Sequence, residues 1–287
     1  MKRALIFLTI ALSLLFLAVG CNKEPEVQKS FTVTFDYNGG VYNNEKQDTE
    51  KAENGAVSEP VFSPYLNKYT KFDSWTLKDG TEFDFENTKI TCDITLYAKY
   101  KDIYSVGGTG EKGGIIIYDV DADNTSDGGS GKDGLKSAVC GYRYIEAAPS
   151  DFSTVVDGKD TFELTWGTAL AELATGTAIG SGSSNTKLMA ESTALNSFAK
   201  DVYGKTLVGD ANDWFIPSRD ELFLMYDVIG KSESAKFSKG YYWSSSRNTL
   251  GSSSAYCLYF GGTTSPSKDS SQNYLSSTAR VRLIRVF

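Results

Sequence analysis

Four aspartates close together, Asp119, Asp121, Asp123 and Asp127, are the residues best suited to bind a metal through oxygen. A calcium loop also needs Gly at its sixth position for the turn and Glu at its twelfth as a bidentate ligand. Counted from Asp119, those positions hold Asn124 and Ser130, so a solvated acidic loop is the expected reading. Thiols are the second resource, at Cys21, Cys92, Cys140 and Cys257. The chain has no histidine. That removes the proton shuttle of Ser-His-Asp and Cys-His catalysis and the imidazole ligands of most zinc sites. The carboxylates, lysines, tyrosines and cysteines that remain form no catalytic arrangement, so neither an enzyme activity nor a cofactor is expected. Recognition is the chemistry left. The stretch YYWSSSRNTLGSSSAYCLYFGG (241–262) sets aromatics beside Ser, Gly, Asn and one Arg, the mixture that adaptable binding surfaces use.

The N-terminus bounds where such a surface can act. Lys2 and Arg3 precede an unbroken apolar run from Ala4 to Val19, followed by Gly20 and Cys21. This is the layout of an export signal over residues 1–20. The AVG-Cys sequence resembles the bacterial lipobox, with Ala18 where Leu is usual. It implies that Cys21 is lipidated, for example with palmitate, and anchors the mature chain to a membrane. Plain secretion and an uncleaved anchor are the alternatives. Loss of Lys2 and Arg3 takes the formal charge from −7 to −9, which argues against a nucleic-acid partner. Cys92, Cys140 and Cys257 then allow one disulfide at most, so stability has to come from buried cores.

Residues 21–30 read as a polar linker containing Pro25. From Phe31 the pattern alternates: Phe31, Val33, Phe35 and Tyr37 against Thr32, Thr34 and Asp36, a half-buried strand. Asn38-Gly39-Gly40 is a turn able to take positive φ, and Lys78-Asp79-Gly80 is a hairpin turn. A further strand is expected near Ile94–Tyr100. Taken together, VTFDYNGG, GAVSEP, KFDSWTLKDGTEFDF and ITLYAKY resemble the Listeria–Bacteroides repeat, the B-repeat type of internalins, over residues 31–101. The resemblance implies a small β-grasp-like module used as a spacer or interaction unit, with Trp75 in its core.

Beyond it, the run IIIYDV (115–120) reads as a buried strand and YRYIEAAP (142–149) as a second one. A helix over about Thr186–Tyr203 is expected to bury Leu188, Leu195, Phe198 and Val202, with Ser184 or Asn185 as N-cap. Ser218 and Glu221 form a capping box ahead of Leu222, Met225, Tyr226 and Ile229, and Gly230 ends that helix. Two strands follow, around YYWSSS and AYCLYF, then a long polar stretch and a last strand, VRLIRVF. In that strand Val281 and Leu283 face opposite to Arg282, Ile284 and Val286. Trp214, Tyr242, Trp243, Phe260 and Phe287 are expected in the core, and the Leu258 face of AYCLYF is expected to meet it. That leaves Tyr259 exposed near Arg247 and Asn248.

The WFIPSRDEL, YYWSSS and VRLIRVF elements together resemble the C-terminal domain of the Legionella collagen-like adhesin family. The resemblance covers residues 104–287. It implies an α+β, C-type-lectin-like fold related to the formylglycine-generating enzymes and to variable proteins of diversity-generating retroelements, including treponemal lipoproteins. The copper-binding cysteine pair of the enzymes is missing, since Cys257 is the only cysteine in the last hundred residues. The Glu-Pro-Asn and Gln-Pro-Asp sugar motifs of calcium-dependent lectins are missing too. The candidate ligand residues are Arg247, Asn248, Tyr259, Thr264, Lys268, Asp269, Asn273 and Tyr274, facing a protein or glycan. The expected function is a non-enzymatic binding protein or adhesin at the outer membrane or cell surface. The alternative is a structural envelope lipoprotein packed against partner subunits.

Overall fold

The computed structural model describes residues 30–121, 142–167, 173–248, 253–261 and 272–287. Cys21, Asp123, Asp127, Cys140, Thr264, Lys268 and Asp269 lie outside the described residues. Strands dominate, with a few helices among them, and the class is α+β. The chain divides into two compact units. One holds the residues up to Asn67 together with Phe72–Lys101; the other holds Lys68–Lys71 and Asp102–Phe287. No helix among the described residues is long and apolar enough to cross a membrane.

The sheet of the first unit is built from strands β1 (Phe31–Asp36), β2 (Gln47–Ala52), β3 (Thr70–Thr76, whose first two residues count with the second unit) and β4 (Ile94–Asp102, whose last residue does), arranged β2-β1-β4-β3. The alternation in β1 buries Val33 and Phe35, as its period of two requires. β1 pairs antiparallel with β2 and parallel with β4, with Val33 opposite Ile94 and Asp36 opposite Tyr97. The turn after β1 takes positive φ at Asn38 (48°) and Gly39 (87°). Gly40 has to be glycine for a different reason: a β-carbon there would lie 2.0 Å from the Tyr100 hydroxyl. That hydroxyl donates to the Tyr37 carbonyl at 2.7 Å, so the turn is tied to β4. Trp75 is buried at the centre, edge-on to Phe35 with ring centroids 4.9 Å apart.

The second unit begins with β5 (Ile115–Asp119) and β6 (Tyr144–Ala147), followed by the short strands β7 (Thr154–Val156), β8 (Lys159–Thr161) and β9 (Leu164–Thr165). Helices α1 (Gly182–Glu191) and α2 (Arg219–Ile229) come next. The chain then forms β10 (Gly240–Arg247), β11 (Ser254–Phe260), β12 (Gln272–Tyr274), β13 (Thr278–Ala279) and β14 (Ile284–Val286). β14-β6-β5 make one sheet and β10-β11-β12 another, while β13 pairs with β9 and β7 with β8. α2 forms where the capping box places it. Ser218 accepts from the Glu221 backbone N–H, and the Glu221 carboxylate accepts from the Ser218 N–H at 2.6 Å. Leu222, Met225, Tyr226 and Ile229 are its buried face.

The other expected helix is corrected. α1 starts earlier, after Ser181, and stops at Glu191; Ser184 and Asn185 lie inside it rather than capping it. Leu188 is 41% exposed, whereas Leu195, Phe198 and Val202 reach the core from a turn and a short 3-10 segment, Phe198–Asp201. The apolar spacing was real, but these side chains are gathered by irregular backbone. Asp119 is also not part of a solvated loop. It is buried and accepts from the Arg143 guanidinium at 3.0 and 3.1 Å.

β10 and β11 run between two cores, so the expectation of one buried face is corrected as well. Trp243, Ala255 and Cys257 join Trp166, Trp214, Val281 and Leu283 on one side. Tyr242, Leu258 and Phe260 join Leu222, Met225 and Ile284 on the other. The expected division of the last strand holds, with Val281 and Leu283 opposite Ile284. Its arginines are buried too. Arg282 is 0% exposed and donates to Asp151 at 2.7 and 2.9 Å, to the Ala148 carbonyl at 3.1 Å and to the Ala235 carbonyl at 2.9 Å. Its guanidinium lies 4.3 Å from the Phe237 ring centre. Arg285 donates to Asp213 at 2.8 and 2.9 Å, to Glu111 at 2.9 Å and to the fully buried Glu146 at 3.2 Å.

Removing one partner of a buried pair leaves the other charge desolvated. Asp151→Ala is therefore expected to destabilise the second unit by about 3–5 kcal/mol, because it strands Arg282. Urea unfolding followed by tryptophan fluorescence measures this, and a loss under about 1 kcal/mol would contradict the arrangement.

Candidate ligand-binding surface

Ser244, Ser245 and Ser246 are fully buried in β10, and their polar atoms account for how the surface above them is held. The Ser244 hydroxyl donates to the Tyr256 carbonyl at 2.9 Å, and its carbonyl accepts from the Trp166 indole N–H at 2.8 Å. The Ser245 N–H donates to the Pro217 carbonyl at 2.7 Å, and its hydroxyl accepts from the Asn185 amide at 3.1 Å. The Ser246 hydroxyl donates to the Gly176 carbonyl at 2.6 Å and accepts from the Arg219 N–H at 3.0 Å. Hydroxyls thus replace a side-chain core where β10 meets the 173–181 segment, α1 and the start of α2. Small residues allow that close approach, and each polar group finds a partner.

Arg247 and Asn248 continue this seam. They are 9% and 4% exposed, not free on a loop. The Arg247 N–H donates to the Thr175 hydroxyl at 2.7 Å, and the Asn248 N–H donates to the Ser254 carbonyl at 3.0 Å. Across the sheet, Arg247 lies opposite Ala255, Ala255 opposite Asn273, and Ser254 opposite Tyr274. Asn273 is half-buried and Tyr274 is 69% exposed. Tyr256 lies one residue further along β11, with the Arg219 guanidinium 5.1 Å from its ring centre. Arg219 also donates to Asp220 at 2.9 Å.

Tyr259 does not join this group, and it is half-buried rather than exposed. It lies opposite Tyr241 at the other end of the hairpin, their rings edge-to-face at 5.1 Å. Four residues of strand separate it from Ala255, about 13 Å. The expected set is therefore split. Arg247, Asn248, Asn273 and Tyr274 share one end of the sheet, and Tyr259 stands at the other. Arg219 and Tyr256 belong with the first group and were not anticipated. The only hint of Arg219 was its place directly after the capping serine, where it is half-buried.

Two ionisable groups close by are buried for structural reasons. The Cys257 thiol is pushed up to about 12 by burial, which makes it a poor nucleophile and a poor ligand. Cys92, the other described cysteine, is exposed in the first unit. The Glu221 carboxyl is fully buried, and desolvation raises it to about 7, although N–H groups of Ser218, Gly180 and Gly182 pull the other way. Its Oε1 accepts from the Gly180 N–H at 2.7 Å, binding the segment before α1 to the start of α2. The described residues include no group of three or more carboxylates and thiols able to hold a metal ion.

Comparison with known proteins identifies the first unit. Residues 31–99 match the family model of the Listeria-Bacteroides repeat domain. Trp75, Phe35 and the Gly40–Tyr100 contact therefore all lie in the repeat or at its edge. No curated protein matches the chain.

Glu221 gives a pH dependence of determined sign. Its carboxyl binds a proton more tightly when folded than in the unfolded chain, where it sits near 4.5. Its contribution to stability is thus complete below about pH 4.5 and is lost as pH rises towards 7. At about 1.36 kcal/mol per unit, the loss is about 3 kcal/mol. Glu221→Gln is expected to flatten that part of the stability–pH curve, measured by urea unfolding between pH 4.5 and 8. Parallel curves for the two proteins would contradict it.

Proposed function

We propose that this chain is an exported, lipid-anchored, non-enzymatic binding protein. The repeat serves as a β-grasp-like spacer, and the 104–287 region serves as a lectin-like head for a protein or glycan. The observation that carries this reading is the manner in which the end of β10-β11-β12 is held. Arg247 and Asn248 are fixed in a hydrogen-bonded seam while Tyr274 projects beside them. A surface held in this way loses little freedom on binding, and an exposed Tyr next to Asn offers broad contact with adaptable hydrogen bonding. The repeat order β2-β1-β4-β3 with parallel central strands supports the β-grasp-like assignment. The two-sided core around β10 and β11, closed by the terminal strand β14, supports the likeness of the head to the adhesin family and to the variable treponemal lipoproteins.

The alternative is a structural envelope role. Val155 and Val156 favour it: the β7–β8 hairpin holds them out at 71% and 52% exposure, as a packing surface for a partner subunit would.

Cys21→Ser is expected to abolish palmitate labelling and release the chain from the membrane fraction. Protease added to intact cells is expected to remove the head, as it does in permeabilised cells. Protection on intact cells would contradict the surface reading and favour the envelope role. For a ligand found on such cells, Tyr274→Ala is expected to weaken binding by roughly tenfold or more, the loss of one aromatic anchor. Tyr259→Ala, at the far end of the hairpin, is expected to change it much less.

A further inference from the structure

The segment KSESAKFSK (231–239), between α2 and β10, carries three lysines against one glutamate, Glu233, in a chain of net charge −7. Lys231, Lys236 and Lys239 are exposed, and none of them makes an ion pair among the described residues. Two concavities open beside this segment. One, of about 340 Å³, is lined by Tyr226, Lys231, Ser232, Lys236 and Phe237, with one carboxylate, Glu233, among them. The other, of about 260 Å³, is lined by Lys236, Ser234 and the glycine-rich turns around Thr109. Lys236 borders both. The first falls at the lower end of the size range of small-molecule sites, about 300–1,000 Å³, and the second just below it.

The segment is held in shape. Lys236 takes a left-handed φ of 49°, uncommon for a side-chain-bearing residue. The Ala235 and Lys236 carbonyls on either side of that strain accept from Arg282, at 2.9 and 3.4 Å. The buried arginine thus fixes the backbone from which Lys236 projects. Tyr226, which lines the first concavity, has a buried hydroxyl with no hydrogen-bond partner among the described residues.

The walls determine what class of ligand fits. In the second concavity the N–H groups of Gly107, Gly108 and Gly114 already donate to Ile116, Ser105 and Glu146. A peptide would find no row of free backbone donors there to extend a sheet. Side-chain hydroxyls and ammonium groups remain, and lysines act on anions as point charges rather than planar forks.

We propose that the paired concavities around Lys236 bind an anionic oligosaccharide. Lys231 and Lys236 meet its sulfate or carboxylate groups, and the Ser232 and Ser234 hydroxyls, hydrogen-bonded to each other at 2.7 Å, turn their remaining capacity to its sugar hydroxyls. The site lies at the Gly261 end of β11, away from Arg247 and Tyr274, and does not depend on the hairpin surface described above.

The test uses the full-length chain in detergent with three probes: a sulfated tetrasaccharide from heparin, a uronic-acid tetrasaccharide and a neutral tetrasaccharide without sulfate or carboxylate as the control. Titration at low salt is expected to show binding of the sulfated or the uronate probe, and weaker binding of it at high salt. Lys231→Ala with Lys236→Ala is expected to lower that affinity by roughly tenfold or more. Lys200→Ala with Lys205→Ala removes the same charge from exposed positions elsewhere and is expected to leave the affinity within about twofold. Failure of both anionic probes to bind would overturn the proposal. So would an equal loss in the two lysine pairs, which would mark a diffuse charge effect. Displacement of the sugar by an equally charged glutamate peptide at the same concentration would assign the site to acidic peptides instead.

Discussion

A guanidinium that is always charged cannot enter a protein interior alone, and the second unit places Arg282 there with no exposure. Its counter-charge, Asp151, lies 131 positions earlier in the chain beside a second acceptor, Ala148, and its other acceptors, Ala235 and Lys236, come from one further segment. Arg285 repeats the device with Glu111, Glu146 and Asp213. Each arginine can be buried only if those segments arrive together. The final residues therefore fit only where those segments are all in place, and they tie them together. Such pairs contribute little net stability compared with apolar packing, but leaving one half-formed is costly. Their effect is to disfavour alternatives: a shifted register of β14 would leave a buried cation without a partner.

The same economy of side chains explains the serines of β10. A strand flanked by Trp243 and Cys257 would ordinarily continue with large apolar residues. At Ser244–Ser246 the neighbouring backbone comes too close for them, and hydroxyls answer the carbonyls of Gly176, Pro217 and Tyr256 instead. What looks from composition like a polar loop is a hydrogen-bonded interior. The exposed part of the surface is displaced to Asn273 and Tyr274, on the strand opposite.

Local patterns in the sequence were a good guide where structure is local. The alternation at Val33 and Phe35, the Asn38-Gly39 turn, the Ser218–Glu221 box and the α2 face each rest on contacts within a few residues. The core positions of Trp243 and Phe260 followed from size and hydrophobicity, and that of Trp75 from the resemblance to the repeat. Burial of Arg247, Asn248 and Asp119 did not, because it depends on partners such as Thr175, Ser254 and Arg143, which no spacing rule connects to them. The helix expected up to Tyr203 failed for a related reason. Leu195 and Val202 have helical spacing, but the core they fill is reached from a turn. Tyr259 was placed correctly on its strand but at the wrong end of the hairpin, since register is set by pairing across the sheet, not along it.

The parallel pairing of β1 with β4 has a mechanical consequence. These are the strands by which the chain enters and leaves the repeat, and Val33–Asp36 run alongside Ile94–Tyr97 in the same direction. Tension applied between the two ends of the repeat would draw the strands past each other along their length, so that all the rungs between them resist at once instead of parting one after another. Tyr100, clasped over Gly40, would bind the sliding pair to the adjacent turn. A module wired in this way is suited to a chain held at one end and pulled at the other.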